Sequence, residues 1–245
     1  MKSTIEVQGV TKAFNMGVAR SMGSLARIVS FLSDRTPKKR ICVLRNVSLK
    51  VKPGEIIGVV GKNASGKSTL MRILAGIYSA DSGVVRTDGK IVSLIGLNIG
   101  LKERLTMKDN IFLCCSLFGL PQKTIRKRFN SIVEFSELED YVGTKIYQFS
   151  EGTRQRLAFS IAVHCNPEIL LLDEVFEVGD KWFREKCSKR IRGLARKGAC
   201  ILFVSHELDM VKKHCSRTIW LDKGRIVKDG PCEEVLKEYV KSTQR

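Results

Sequence analysis

Gly61-Lys62-Asn63-Ala64-Ser65-Gly66-Lys67-Ser68-Thr69 is the stretch that decides the reading of this chain. It follows the apolar run Ile56-Ile57-Gly58-Val59-Val60 and precedes Leu70-Met71-Arg72-Ile73-Leu74-Ala75, which reads as a helix. Strand, glycine-bounded loop, Lys-Ser/Thr and helix are the context in which this spacing makes a phosphate cradle. Gly61 and Gly66 let successive backbone N–H groups converge on phosphate oxygens where a side chain would obstruct them. The loop feeds a helix N-terminus, whose open N–H groups and dipole favour an anion. Lys67 is placed to reach the β and γ phosphates, and Ser68 to offer its hydroxyl to Mg2+. A Gly/Ser/Asn surface turn with one lysine is the competing reading, and the flanking strand and helix count against it. The stretch implies a bound nucleoside triphosphate.

The rest of the composition bounds the fold and leaves the partner open. A chain of 245 residues with 43% hydrophobic content can bury the core of one large domain or two small ones. Its eight cysteines form no C-x-x-C pair, and several sit in apolar runs where a free thiol acts as a small hydrophobe. A zinc site or disulfide framework is not expected, and a reducing cytosol is. The N-terminus alternates apolar and polar residues rather than forming a secretory signal, and no apolar run reaches the roughly 18 residues of a membrane span. The formal net charge of +18 suits nucleic acid, anionic lipid or an acidic substrate.

Along the chain, Ile5 to Val10 and Val43 to Val51 alternate like half-exposed strands. Between them, Asn15 to Arg40 carries six Lys/Arg against one acid, Asp34. Val18, Met22, Leu25, Val29 and Leu32 fall at helical spacing, widened by Ile28 and Phe31. The segment 15–40 therefore reads as a basic amphipathic insertion. Its helix either packs on its own domain or faces a membrane or partner, and Thr36-Pro37-Lys38-Lys39-Arg40 follows as an exposed run. Gly83 to Arg86 and Lys90 to Ile95 look like short strands, and about 100–165 is mostly helical. Ile169-Leu170-Leu171-Leu172 and Cys200-Ile201-Leu202-Phe203-Val204 suit parallel strands buried on both faces. Thr218 to Leu221 and Arg225 to Lys228 flank the turn Asp222-Lys223-Gly224, and Glu233 to Lys241 reads as a closing helix. The alternation predicts an α/β fold with a parallel sheet and an inserted helical subdomain.

Three further segments carry chemistry. The first buried strand ends at Asp173-Glu174, where an α/β sheet places its ligands. Asp173 there would hold Mg2+ and Glu174 would polarise an attacking water. Val204-Ser205-His206 repeats the arrangement, and His206 is placed to bond a γ phosphate or position the water. Phe149-Ser150-Glu151-Gly152-Thr153-Arg154-Gln155-Arg156-Leu157 opens a helix with Ser150 as its cap. That is a second anion-friendly helix start, which invites a dimer sharing its nucleotides.

The phosphate loop, the Ser150 segment, Leu171-Leu172-Asp173-Glu174 and Val204-Ser205-His206 occur in the order of an ABC transporter nucleotide-binding subunit, which the whole chain resembles. The resemblance implies the ABC type of P-loop NTPase: a RecA-like parallel-sheet core, N-terminal antiparallel strands and the helical subdomain. It also implies two subunits paired head to tail, so that Ser150 and Gly152 contact the γ phosphate across the dimer. Glu174 would be the general base, Asp180 the residue of the loop that follows, His206 the switch histidine, and Phe14 the ring on adenine. ATP and Mg2+ are the implied ligands, with Gly61, Lys62, Asn63, Ala64, Ser65, Gly66, Lys67, Ser68 and Thr69 around the phosphates and Ser68 and Asp173 on the metal.

The stretch from Asp173 through Val175-Phe176-Glu177-Val178-Gly179-Asp180 to Cys187 is similar to the subfamily that exports polysaccharides: O-antigen, capsule and teichoic acid. So are Ile95 to Leu101 and the basic insertion. Ala64 departs from the family's usual glycine, Glu151 from a signature glycine and Thr153 from glutamine or methionine. Residues 96–98 hold no glutamine to sense Mg2+ and water, and Gly96 stands where the subfamily carries a glutamate. The expectation is the ATPase subunit of a glycan exporter, a homodimer on an integral membrane permease, peripheral on the cytoplasmic side of the cell membrane. The chain ends shortly after its last predicted helix, so the glycan would be chosen elsewhere. An exporter of a lipid, drug or peptide is the nearer rival. A soluble ATPase acting on nucleic acid or ribosomes is the further one, since relatives of that kind carry two ATPase domains, long coiled coils or extra domains.

Overall fold

The computed structural model describes residues 3–16, 39–95, 100–173 and 180–243. Two sheets and the helices around them make up these residues. Strands β1 (Thr4–Met16), β2 (Lys39–Val51) and β4 (Ser82–Asp88) form an antiparallel sheet in the order β2-β1-β4. The second sheet runs β5-β6-β7-β3-β8-β9, from β5 (Ile91–Leu94), β6 (Ile169–Asp173), β7 (Cys200–Val204), β3 (Ile56–Val60), β8 (Arg217–Asp222) and β9 (Arg225–Pro231). Its first five strands are parallel, and β9 returns antiparallel to β8.

The apolar runs are continuous because this sheet is covered on both faces. Ile57, Val59, Ile169, Leu171, Leu202 and Val204 point into one core, with the three-stranded sheet and helix α1 (Lys67–Leu74). Val60, Leu170, Leu172, Ile201 and Phe203 point into the other, shared with the helical block. That block holds α2 (Met107–Leu117), α3 (Gln122–Ser136) and α4 (Glu151–His164), and its core is continuous with the sheet's. Thr106 starts α2 with a reciprocal capping box to Asp109, satisfying helix N–H groups that have no partner within the helix. Helices α5 (Lys181–Arg196), α6 (Leu208–His214) and α7 (Cys232–Thr243) complete the chain. Seven of the eight cysteines are buried, and none is in a disulfide. No helix among the described residues is long and apolar enough to cross a membrane.

The strands flanking the basic insertion reach further than the sequence suggests. Asn15 pairs with Arg40 and Met16 with Lys39, so both ends of the 15–40 segment belong to the β1–β2 ladder. The exposed run expected at Thr36–Arg40 thus ends in a strand. Asp81 anchors this end: it accepts from Lys12 Nζ and the Ala13 N–H at 2.8 Å each, and Arg40 Nη2 lies 3.3 Å away. Those bonds from Lys12 and Ala13 hold the Asp81 carboxyl down to about 2. The helix expected at 18–33 lies outside the described residues.

Candidate nucleotide site

The site is organised by the pairing of β7. Val204 is the register partner of Val59 on β3 and of Asp173 on β6. Three parallel strands therefore end at one level, and the chain leaves them at the phosphate loop, at His206 and at Glu174. A carboxyl edge between neighbouring parallel strands is where such sheets bind ligands. Asp173, the last residue of β6, is nine-tenths buried. Glu174 itself lies outside the described residues.

The phosphate loop is shaped by close approach. A Cβ on Gly61 would sit 2.1 Å from the Leu221 carbonyl oxygen, and Gly66 takes φ +110° with Leu44 Cδ2 only 2.7 Å from a built Cβ. Neither position accepts a side chain. Gly66 is the cap residue of α1 and supplies no side-chain hydrogen bond, so the first N–H groups of that helix stay open to a ligand. Ser65 Oγ is buried and hydrogen-bonds no other described group. Lys67, 6% exposed, turns its ammonium back onto the loop, donating to the Gly61 carbonyl at 2.7 Å and the Lys62 carbonyl at 3.1 Å.

Asn63 to Thr69 line a cleft of about 540 Å³, and His206 joins them from the end of β7. The remaining wall was not legible beforehand: Ile41, Cys42, Val43 and Arg45 of β2, and Lys223 of the β8–β9 turn. A glycine cradle, an uncapped helix start, an orphan hydroxyl and several cations fit a nucleoside polyphosphate. Phe14 is not in this lining. Its ring meets Tyr78 edge-on at 5.4 Å, while its register partner Ile41 lines the cleft.

Ser150, Gly152 and Asp180 are also outside the cleft's lining. Ser150 caps α4 by accepting the Thr153 N–H at 3.2 Å, and its hydroxyl meets that of Thr153 at 2.8 Å. Gly152 sits in the first turn with open space where a Cβ would be. Asp180 caps α5, accepting the Phe183 N–H at 2.8 Å.

Residues 44–177 match the model of the family described as ABC transporter. The chain belongs to the ABC transporter family. It is 36% identical over 243 residues to an O-antigen export system ATP-binding protein, RfbB, of Klebsiella pneumoniae, covering 98% of each. It is 37% identical over 243 residues to the teichoic acids export ATP-binding protein TagH of Lactococcus lactis, covering 99% of this chain and 52% of that one. The TagH of Listeria monocytogenes is 41% identical over 209 residues, with 85% and 62% covered. The chain thus spans only about half to two thirds of these TagH proteins. Among solved structures, the ATP-binding subunit of an ABC transporter shares the fold with TM-score 0.76 at 20% identity, over 96% of this chain and 92% of that one. A dimeric ATP-binding cassette in a post-hydrolysis state, bound to ADP and Pi, superposes equally well, with TM-score 0.76 at 24% identity over 93% and 98%.

Proposed function

We propose that residues 1–245 form one nucleotide-binding domain that hydrolyses ATP to power export of a polysaccharide or lipid-linked glycan across the cytoplasmic membrane. It works as a pair of copies bound to an integral membrane permease, peripheral on the cytoplasmic face. The observation that carries the reading is the meeting of the phosphate loop and His206 in one cleft, on the sheet edge where β6 ends at Asp173. The glycan cargo rests on relatives named for teichoic acids and O-antigen export.

In this reading the loop amides and Lys67 hold the β and γ phosphates. Ser68 and Asp173 would hold Mg2+, which when bound supplies positive charge to the phosphate oxygens. Glu174 takes the proton of the water that attacks the γ phosphorus, and His206 orients the γ phosphate and that water. Ser150 and Gly152 serve the nucleotide of the second copy, with Asp180 at the contact between copies. Phe14 borders the base end beside Ile41.

Two measurements test this. The purified chain should hydrolyse Mg·ATP, with Lys67→Ala and Glu174→Gln each lowering kcat at least 100-fold. Tagged Glu174→Gln, isolated with ATP from detergent-solubilised membranes of its host, should bring down a polytopic membrane protein in equal amount. Recovery with ribosomes or nucleic acid, and none from membranes, would overturn the export reading.

A further inference from the structure

Two cations in the cleft wall belong to none of the motifs above. Arg45 projects from β2 and Lys223 from the β8–β9 turn, and both line the cleft with the phosphate loop. Both are exposed, and neither forms an ion pair among the described residues. Of the hairpin's other cations, Arg217 is held by Asp229 and Glu55 and Lys228 by Glu238, while Arg225 is exposed without an ion pair among the described residues but does not line the cleft.

The backbone ties these residues to the loop. The Gly224 N–H donates to the Ser65 carbonyl at 3.0 Å, and the Arg45 N–H donates to the Gly224 carbonyl at 2.8 Å. Phosphate loop, turn and β2 are thereby laced into one wall. Lys223 holds φ +45°, the left-handed region that turns normally give to Gly or Asn. A lysine there is not what turn chemistry favours.

We propose that Lys223 and Arg45 are nucleotide-binding residues: a second pair of cations, beyond Lys67, that selects a nucleoside polyphosphate over a monophosphate. The inference rests on the reading of the cleft as a nucleoside triphosphate site. Lys67 is one charge, against about four on a triphosphate. Attraction by added cations grows with ligand charge, so they favour the longer phosphate chain. Arg45 offers a planar set of donors suited to phosphate, and Lys223 a mobile point charge.

The test is competition binding on the full chain, with fluorescent mant-AMP-PNP as the probe and Mg·AMP-PNP or Mg·AMP as competitor. Lys223→Asn removes the charge yet suits a positive φ, so the turn survives. Lys223→Asn and Arg45→Gln should each weaken AMP-PNP about three-fold, and together about ten-fold, with AMP changed less than about two-fold. The difference should shrink in 0.5 M salt, where the Debye length falls to about 4 Å. Lys223→Arg should retain wild-type affinity. A double variant that binds AMP-PNP like wild type overturns the proposal, as does equal weakening of AMP-PNP and AMP. A well-folded wild-type chain that binds neither ligand would overturn the nucleotide reading first, and this one with it. Wild-type binding that Lys67→Ala abolishes, beside an unaffected double variant, would overturn this proposal alone.

Discussion

The ammonium of Lys67 donates to the carbonyl oxygen of Gly61 at 2.7 Å, so the lysine assigned to phosphates also closes its own loop. It is a buried, charge-assisted contact, supported by a second bond to the Lys62 carbonyl. Lys67→Ala should therefore act twice. It should remove nucleotide binding, and it should also lower the stability of the ligand-free chain by about 1–2 kcal/mol, because two loop carbonyls lose a charged donor. Urea unfolding without nucleotide reads the second effect. An unchanged midpoint would mean that the lysine contributes nothing to the loop before ligand arrives.

Ala64, in the phosphate loop, takes φ +60°. An L side chain in this region costs about 1–2 kcal/mol, whereas glycine's greater freedom in the unfolded chain costs about 0.5–1. Ala64→Gly should consequently be neutral or stabilising by up to about 1.5 kcal/mol. Ala158→Gly, inside α4, should cost about 1 kcal/mol or more. Urea midpoints of the two variants compare them directly, and equal losses would show that the loop carries no backbone strain at residue 64.

Much of this was legible in the sequence because it is local. The run Ile169–Leu172 reads as a buried strand since Ile169 and Leu171 enter one core while Leu170 and Leu172 enter the other. The phosphate loop reads from its own glycines. The ends of the insertion read differently in the sequence: the basic run at 38–40 and the helical spacing of 18–32 set the segment apart from its neighbours, and only the pairing of Asn15 with Arg40 and Met16 with Lys39 makes its ends strand. Lys223 was invisible for the same reason. Nothing around Asp222-Lys223-Gly224 marks a ligand, and its place in the cleft depends on Gly224 meeting Ser65, far away in the chain.

The C-terminal end of α4 is held by three cations from three segments. Arg190 donates to the Val163 carbonyl at 3.0 Å, Arg128 to His164 at 2.6 Å and Lys90 to Cys165 at 2.9 Å. These carbonyls have no partner within the helix and carry the negative end of its dipole. Arg128→Gln and Arg190→Gln should each cost about 1–2 kcal/mol in urea unfolding. The double variant should cost more than the sum, because the two guanidiniums repel and either single variant already relieves that repulsion: Arg128 helps depress the pKa of Arg190, after burial. Losses under about 0.3 kcal/mol would reduce the cluster to solvated surface charge.

The same cluster makes stability sensitive to acid through His164. Burial pushes its imidazole down to about 4, against a bond to the Ser160 carbonyl at 2.7 Å that favours the proton; Arg190, Arg128 and Lys186 add to the depression. The folded state thus prefers neutral His164, while the unfolded chain titrates it near the ordinary histidine value of about 6.5. With the folded pKa below the unfolded one, the stabilisation is complete above about pH 6.5 and is lost as pH falls towards about 4. The contribution is about 1–3 kcal/mol after allowing for partial exposure, with a slope of at most about 1.4 kcal/mol per pH unit. His214, also pushed down to about 4 chiefly by burial, adds a decline in the same window. Urea unfolding at pH 7, 6 and 5 should show falling stability in the wild-type chain. His164→Gln keeps a donor for the Ser160 carbonyl but cannot titrate, so it should be less stable than wild type at pH 7 and lose less on acidification. Parallel pH profiles for the two would place the acid sensitivity outside the α4 terminus.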